Sequence, residues 1–267
     1  MCRHLGYLGP ARPLHDLVYA GEHSMEHQSY APRMTSGNLL NADGYGIGWY
    51  QPGPAGEDPS HDGPAHEGHA HEAFRFRRSQ PIWTDASFRE VARAVSSSCA
   101  VVALRSATTG FPVDESCAQP FRAGTRLFSH NGKVEGFDGV EAKLRELAGD
   151  LAEVPDARAP VDSALLFALA ARHWREGASL ADGLASTVQA VNGLTSGRFN
   201  LLASDGTSLA ATARGDSLFV RAESAGERPD ALWIASEPLD ADPSWQRVPD
   251  GSLVVADLAS GVRILPL

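Results

Sequence analysis

The sequence predicts an α+β protein built in layers, and three observations predict it. The last third of the chain is almost all strand-like, with no helical pattern between its runs. The strongest helical patterns stand together just before it, and strands in blocks with helices in blocks favour stacked layers over a wound βαβ sheet. No GxGxxG or GxxxxGK(S/T) segment is present, which argues against the nucleotide-binding folds those phosphate loops mark.

The opening segment, MCRHLGYLGP, puts Cys2 where removal of one methionine would make it N-terminal. A side chain at a fraying terminus usually contributes little to a core, and a thiol there is open to oxidation. Cys2 is therefore either incidental or a residue on which a thiol and a free α-amine are wanted together. Buried or half-buried strands are expected at 44–50 (GYGIGWY), 100–105 (AVVALR) and 125–130 (TRLFSH). Residues 51–74, rich in Pro, Gly, His and acid, read as a long loop whose exposed part spans about 52–73. A helix is expected after Asp85, with Phe88, Val91, Ala92 and Val95 at helical spacing. Three more follow: 139–151, with Val140, Leu144, Leu147 and Leu151 on one face; 160–177, apolar enough to be sandwiched between layers; and 179–192, with Leu180, Leu184, Val188 and Val191 in register. Strands then run to the end at 198–204, 208–214, 217–221, 231–236, 252–257 and 262–267, with Asp205-Gly206 and Asp250-Gly251 as turns.

The chain of 267 residues, 43% hydrophobic and 21% charged, is ordinary for one globular domain. Its net charge of −10 argues against a nucleic-acid binder, which needs a basic face. No apolar run is long enough for a membrane span or a signal peptide. Three cysteines, Cys2, Cys99 and Cys117, make no disulfide framework, so a reducing, cytoplasmic setting is expected. The loop holds His61, His66, His69 and His71, but HEGHAH lacks the rigid spacing of a metal site, and no metal is expected there.

Several segments can support chemistry. A free α-amine titrates near 7.7–8.0, so an N-terminal Cys2 would carry its own base, acting on the thiol directly or through one water. RLFSHNGKV puts a strand up to His130, then Asn131 and Gly132 in a tight turn. The Asn131 amide and the Gly132 N–H suit an oxyanion hole; equally, Asn-Gly is the commonest hairpin signal. Arg105, at the end of an apolar strand, must meet water or a carboxylate, through a structural salt bridge or by capturing a ligand carboxylate. Asp162 stands where a helix begins, a position that suits an N-cap or the binding of a substrate ammonium.

An N-terminal Cys, an Arg-x-Ala-Thr segment, a His-Asn-Gly segment and an Asp-Ser pair, in this order, resemble the class II glutamine amidotransferases. DGYGIGWY, CAQPF, HNGKV, VDSALLF and ASEPL followed by VPDGSLVV extend the likeness along the chain, the His-rich loop excepted. The resemblance implies an N-terminal-nucleophile hydrolase: a four-layer αββα sandwich, one domain over 2–267 after loss of Met1, with no cofactor. It implies Cys2 as nucleophile, its amine as base, and Asn131 and Gly132 as the oxyanion hole. It further implies Arg105 on the α-carboxylate of a γ-glutamyl group, Asp162 on its α-ammonium, and Thr108 lining the same pocket. His130 would orient the turn or touch the substrate.

The chain departs from the larger members at Ser106, Thr109 and Gln119, and from many stand-alone members at Ala164. Smaller, less charged side chains there suit a γ-glutamyl amide bulkier than free glutamine. The last strand-like run ends at Leu267, leaving no acceptor domain, so water is the expected acceptor. A betaine-bearing substrate would find cation–π surface on Trp49, Tyr50 or Trp245. Three other readings remain: a glutaminase serving a partner, a non-catalytic binding protein on the same scaffold, and a metalloenzyme using the histidine loop.

Overall fold

The computed structural model describes residues 2–35, 40–52, 71–226 and 228–267. Strands and helices are numbered along the chain. One sheet of seven strands runs β11-β9-β10-β1-β4-β2-β3. These are β1 (Arg3–Pro13), β2 (Tyr45–Pro52), β3 (His71–Arg78), β4 (Ser96–Leu104), β9 (Phe219–Glu223), β10 (Ala231–Ala235) and β11 (Gln246–Arg247). A second sheet of six runs β13-β12-β8-β7-β6-β5. Its members are β5 (Phe121–Ala123), β6 (Arg126–Val134), β7 (Gly197–Ser204), β8 (Ser208–Ala213), β12 (Ser252–Asp257) and β13 (Gly261–Pro266).

The sheets pack face to face through Leu8, Val101, Leu127, Leu202, Leu209 and Ile234. The helices α1 (Leu14–Tyr19), α2 (Met25–Tyr30) and α3 (Ala86–Ala94) cover the outer face of the first sheet. The outer face of the second is covered by α4 (Phe137–Ala148), α5 (Asp162–Arg175) and α6 (Leu180–Asn192). The result is the αββα sandwich. As expected, α5 is buried on nearly every side, from Asp162 to Ala171 and again at Trp174.

The segment after Cys2 is held in place from its first residue. β1 lies inside the first sheet, hydrogen-bonded to β10 on one side and β4 on the other, and Arg3 to Gly9 are all buried. Its side chains alternate: Leu5 and Tyr7 point to the helices, while Leu8 points to the second sheet. Cys2 and His4 therefore face the second sheet, and Arg3 faces the helices.

The expected turn at Asn131-Gly132 is also absent. β6 continues through Val134, pairing Asn131 with Asn200 and Gly132 with Phe199, and the chain turns later, at Gly136 with φ 59°. Local Asn-Gly preference yields because Leu127 is committed to the inter-sheet core, with Phe128 and Val134 in the α5 layer. The second expected helix face, over 139–151, is shortened: α4 stops at Gly149, φ 60°, and Leu151 sits in the following 3-10 turn. On α3 only Phe88 and Ala92 are buried, and Val91 is exposed. The loop expected at 51–74 lies mostly outside the described residues, with His61, His66 and His69. Its described ends are strand, with His71 opposite Pro52.

Candidate active site

Cys2 sits at the mouth of the inter-sheet space, its Sγ 3.8 Å from the Ser106 carbonyl. Its main chain is held from the helix side, where Arg3 Nη1 donates to the Cys2 carbonyl at 2.8 Å. Arg3 in turn lies against Glu237, Nε to Oε1 2.8 Å, and both side chains are fully buried. The other Glu237 oxygen lies 2.8 Å from His23 Nε2, and the carboxylate accepts the N–H groups of Arg33 and Met34. Burial alone would push this carboxyl up; the His23 bond, the Arg3 charge and the two amides outweigh it and hold it down at about 2. Sequence reasoning missed this network, although ASEPL, which contains Glu237, is among the segments that carry the family likeness.

Arg105 follows β4, its N–H bonded to Gly44 O at 2.8 Å. The guanidinium reaches carbonyl oxygens, Asp43 O at 3.3 Å and Pro112 O at 2.8 Å, and not the structural carboxylate weighed above. The Asp43 carboxylate caps the next turn by accepting Ala107 N–H at 2.8 Å. Asp162 is the first helical residue of α5, and the cap position before it belongs to Val161. Its Oδ2 accepts Val134 N–H at 2.9 Å and its Oδ1 accepts Ser163 N–H at 2.8 Å, so it ties the end of β6 to the helix rather than capping it.

One pocket gathers Cys2, Arg105, Ser106, Thr108, Gly132 and Asp162. Five of the seven residues singled out from the sequence thus meet, from four separate places in the chain. Gly132 is there because nothing larger fits: a Cβ would stand 1.9 Å from the Arg198 carbonyl oxygen across the β6–β7 ladder. Gly46 has a similar reason, since a Cβ on it would lie 2.3 Å from the carbonyl of Gln119. That glutamine also lines the pocket and clasps the main chain of His130, accepting its N–H at 2.6 Å.

Two residues are not in that lining. His130 is buried against α5, with Nδ1 2.9 Å from Ser163 Oγ and Nε2 2.9 Å from Arg198 O. The carbonyl requires the proton on Nε2, so Nδ1 accepts from Ser163. Burial pushes the imidazole down and keeps it neutral. With both nitrogens committed, His130 stands as a buttress between β6 and α5, outside that lining. Asn131 points the other way, into the inter-sheet space, where its Nδ2 is 3.4 Å from Ser236 Oγ.

The aromatic expectation is overturned as well. Trp49 stacks on Phe74 at 6.0 Å, and Tyr50 spans the core to Ser204 O at 2.8 Å. Trp245 lines a different pocket with Trp233, Arg12 and Arg221. None of the three lines the Cys2 pocket. Among the described residues no group of three His, Cys, Asp or Glu side chains is placed to hold a metal, and none of the helices is long and apolar enough to cross a membrane. Cys99 and Cys117 are buried; burial pushes the Cys99 thiol up to about 12 and raises that of Cys117, which removes both as nucleophiles at neutral pH.

A half-buried thiol thus shares a pocket with a cation and an anion, the complement of an acyl group that carries both a carboxylate and an ammonium. Comparison with known proteins agrees with that chemistry. Residues 19–227 match the family described as glutamine amidotransferases class-II. The chain is 39% identical over 255 residues to γ-glutamyl-hercynylcysteine sulfoxide hydrolase of Mycolicibacterium smegmatis, covering 95% of each chain. It is 36% identical to the Mycobacterium tuberculosis protein of the same name, over 95% of this chain and 92% of that one. A solved structure described as a glutamine aminotransferase class-II domain protein from Silicibacter pomeroyi has the same fold, with TM-score 0.64 and 23% identity over 99% of both chains. The chain belongs to the class II glutamine amidotransferases.

Proposed function

We propose that this chain hydrolyses the γ-glutamyl amide bond of γ-glutamyl-hercynylcysteine sulfoxide, releasing glutamate and hercynylcysteine sulfoxide in the biosynthesis of ergothioneine. The observation that carries the reading is the meeting of Cys2, Arg105 and Asp162 in one pocket, in a chain whose likeness to the two mycobacterial hydrolases runs almost end to end.

Removal of Met1 exposes the α-amine of Cys2 beside its own thiol. The neutral amine takes the thiol proton, and the thiolate attacks the γ-carbonyl carbon. Charge that develops on the carbonyl oxygen is met by the Asn131 side-chain N–H and the Gly132 N–H. The tetrahedral adduct expels the amine, which leaves with the proton the α-ammonium returns to it, and a thioester remains on Cys2. Water, deprotonated by the same amine, attacks the thioester and frees glutamate. Arg105 binds the α-carboxylate as a fork to a fork, Asp162 the α-ammonium, and Thr108 lines the pocket beside them. No cofactor enters any step. The proposed chemistry needs no protein partner, and free cysteines suit a cytoplasmic enzyme.

The test is glutamate release by purified protein whose N-terminus is verified by intact mass, with Cys2→Ala as control. Release from the sulfoxide well above that from glutamine or a simple γ-glutamyl peptide, abolished in the control, is the expected result. Release mainly from glutamine would instead make the chain a glutaminase that supplies ammonia. Activity that survives Cys2→Ala would refute the mechanism.

A further inference from the structure

We propose that Gln119 is a positioning residue for this reaction: its side-chain amide clasps the main chain of His130 and so sets the direction of the Gly132 N–H, two residues on. The inference rests on the assignment of Gly132 to the oxyanion hole. In an antiparallel sheet the N–H and C=O of one residue point to one edge of the strand, and those of the next residue to the other. His130, Gly132 and Val134 therefore share one edge of β6. Two of their N–H groups fix which edge it is: His130 donates to Gln119 Oε1 at 2.6 Å and Val134 to Asp162 Oδ2 at 2.9 Å. This is the β5 side, but β5 pairs only with Arg126 to Phe128. Beyond that point the edge is finished by side chains, Gln119 at His130 and Asp162 at Val134. Gly132 lies between them, and all three of Gln119, Gly132 and Asp162 line the Cys2 pocket.

Gln119 does at His130 what a strand residue would do. Phe121 stands opposite Phe128 in the β5–β6 pairing, so the same register carried on by two residues sets Gln119 opposite His130. A carboxamide offers a donor and an acceptor as a peptide group does. Here Oε1 accepts the His130 N–H at 2.6 Å and Nε2 donates to the His130 carbonyl at 3.3 Å. The clasp is itself anchored from β3. Arg77 Nη1 donates to Ala118 O at 3.1 Å and Arg75 Nη1 to Pro120 O at 3.3 Å, one on each side of Gln119. The Gln119 carbonyl lies so close to Gly46 that a Cβ there would come within 2.3 Å of it. The side chain is buried, and hydrogen bonds shielded from water hold their geometry more firmly. Without the clasp, β6 at His130 would be held by β7 alone, and an oxyanion donor acts through being aimed before the charge develops.

The test is hydrolysis of γ-glutamyl-hercynylcysteine sulfoxide by Asn131→Ala, Gln119→Met and Gln119→Glu, with thermal melting of every variant. Asn131→Ala should lower kcat about 10²–10³-fold with little change in KM; unchanged kcat would overturn the oxyanion assignment and the role of Gln119 with it. Gln119→Met fills similar space and makes neither bond. It should lower kcat roughly tenfold to hundredfold with KM within about twofold, as loss of alignment in the transition state does. Full kcat with a lowered melting temperature would overturn the positioning role and leave the clasp to stability, as would a loss confined to KM; the oxyanion assignment would still stand on Asn131→Ala. Gln119→Glu gives a readout that stability alone would not move. Its carboxylate accepts the His130 N–H but sets a second oxygen against the His130 carbonyl, and only the protonated acid donates there. Burial and that carbonyl both favour the proton, so the ratio of its kcat to that of wild type should climb towards one as pH falls from about 9 to about 6. A ratio that stays low and flat over that range would overturn the proposal. If the Met variant fails to fold, the pH profile of Gln119→Glu decides alone.

Discussion

Replacing Glu237 by Gln removes one buried charge and almost no volume, and the structure sets the size of the effect. The carboxylate is fully buried, in contact with Arg3 and His23 and bonded to two backbone amides. Its drop from 4.5 to about 2 corresponds to roughly 3 kcal/mol of stability at neutral pH. An independent route gives a similar figure, since removing one partner of a buried ion pair strands the other charge at a cost of about 3–5 kcal/mol. Glu237→Gln should therefore lose about 3–4 kcal/mol at pH 7, read as a urea midpoint lower by roughly 1–2 M at an ordinary m value. The sign with pH follows from the depressed value. The stabilisation is whole above the unfolded carboxyl's 4.5 and fades as pH falls from there towards about 2. The gap between wild type and variant should close over that interval, while carboxylates common to both cancel. A gap under 1 kcal/mol at pH 7, or one that stays constant down to pH 2.5, would refute the reasoning.

Other outcomes follow from the same geometry. Arg105→Lys keeps the charge but gives up the planar fork, and should raise KM for the γ-glutamyl substrate about tenfold or more while the fold survives, read by steady-state kinetics and melting. Gly132→Ala must push the β6 and β7 backbones apart, because its Cβ would meet Arg198 O at 1.9 Å; a loss of about 3 kcal/mol in chemical denaturation, and of activity with it, is expected. Cys99→Ser and Cys117→Ser, each replacing a buried thiol outside the mechanism, should leave kcat within about twofold; an inactive variant of either would point to the wrong nucleophile.

Much of this was legible in the sequence, and what was not has physical reasons. α5 and α6 announce themselves because their apolar faces repeat at helical spacing, and Ser179 caps α6 as such a residue should, accepting Asp182 N–H at 3.1 Å. β1 is nearly silent: in RHLGYLG the residues facing the second sheet are His4, Gly6 and Leu8, and only the last reads as core. Asn131-Gly132 misleads because local turn preference is strong, whereas the pairing that overrides it, with Asn200 and Phe199, comes from 69 and 67 residues away in the chain. Arg105 and Asp162 could be singled out from their places at a strand end and a helix start, but their carbonyl and amide partners belong to the tertiary fold. The Arg3–Glu237–His23 network spans most of the chain, and no local pattern contains it.

The placement of that network would let a terminal residue serve as the nucleophile of the proposed reaction. A chain end ordinarily keeps its conformational freedom, and a nucleophile that samples many positions forfeits the advantage of orientation. Here β1 pairs with strands on both sides, and Arg3, the first residue after Cys2, is buried with its guanidinium on the Cys2 carbonyl. That contact restrains the torsion that sets where the Cys2 amine and thiol lie relative to the strand, while leaving both groups free of it. Burying an ion pair contributes little net stability compared with apolar packing, so the network is poorly explained as a way to hold the sheet to its helices, which Leu5, Leu14, Leu17 and Phe88 already do. It is better explained by what it anchors. The same carboxylate also holds the main chain at Arg33 and Met34, which makes the segment after α2 and the nucleophile two ends of one rigid assembly. Alternation along β1 then divides the labour: Arg3 fixes the backbone from the helix side, and Cys2 and His4 face the inter-sheet space where the chemistry of the proposed reaction lies.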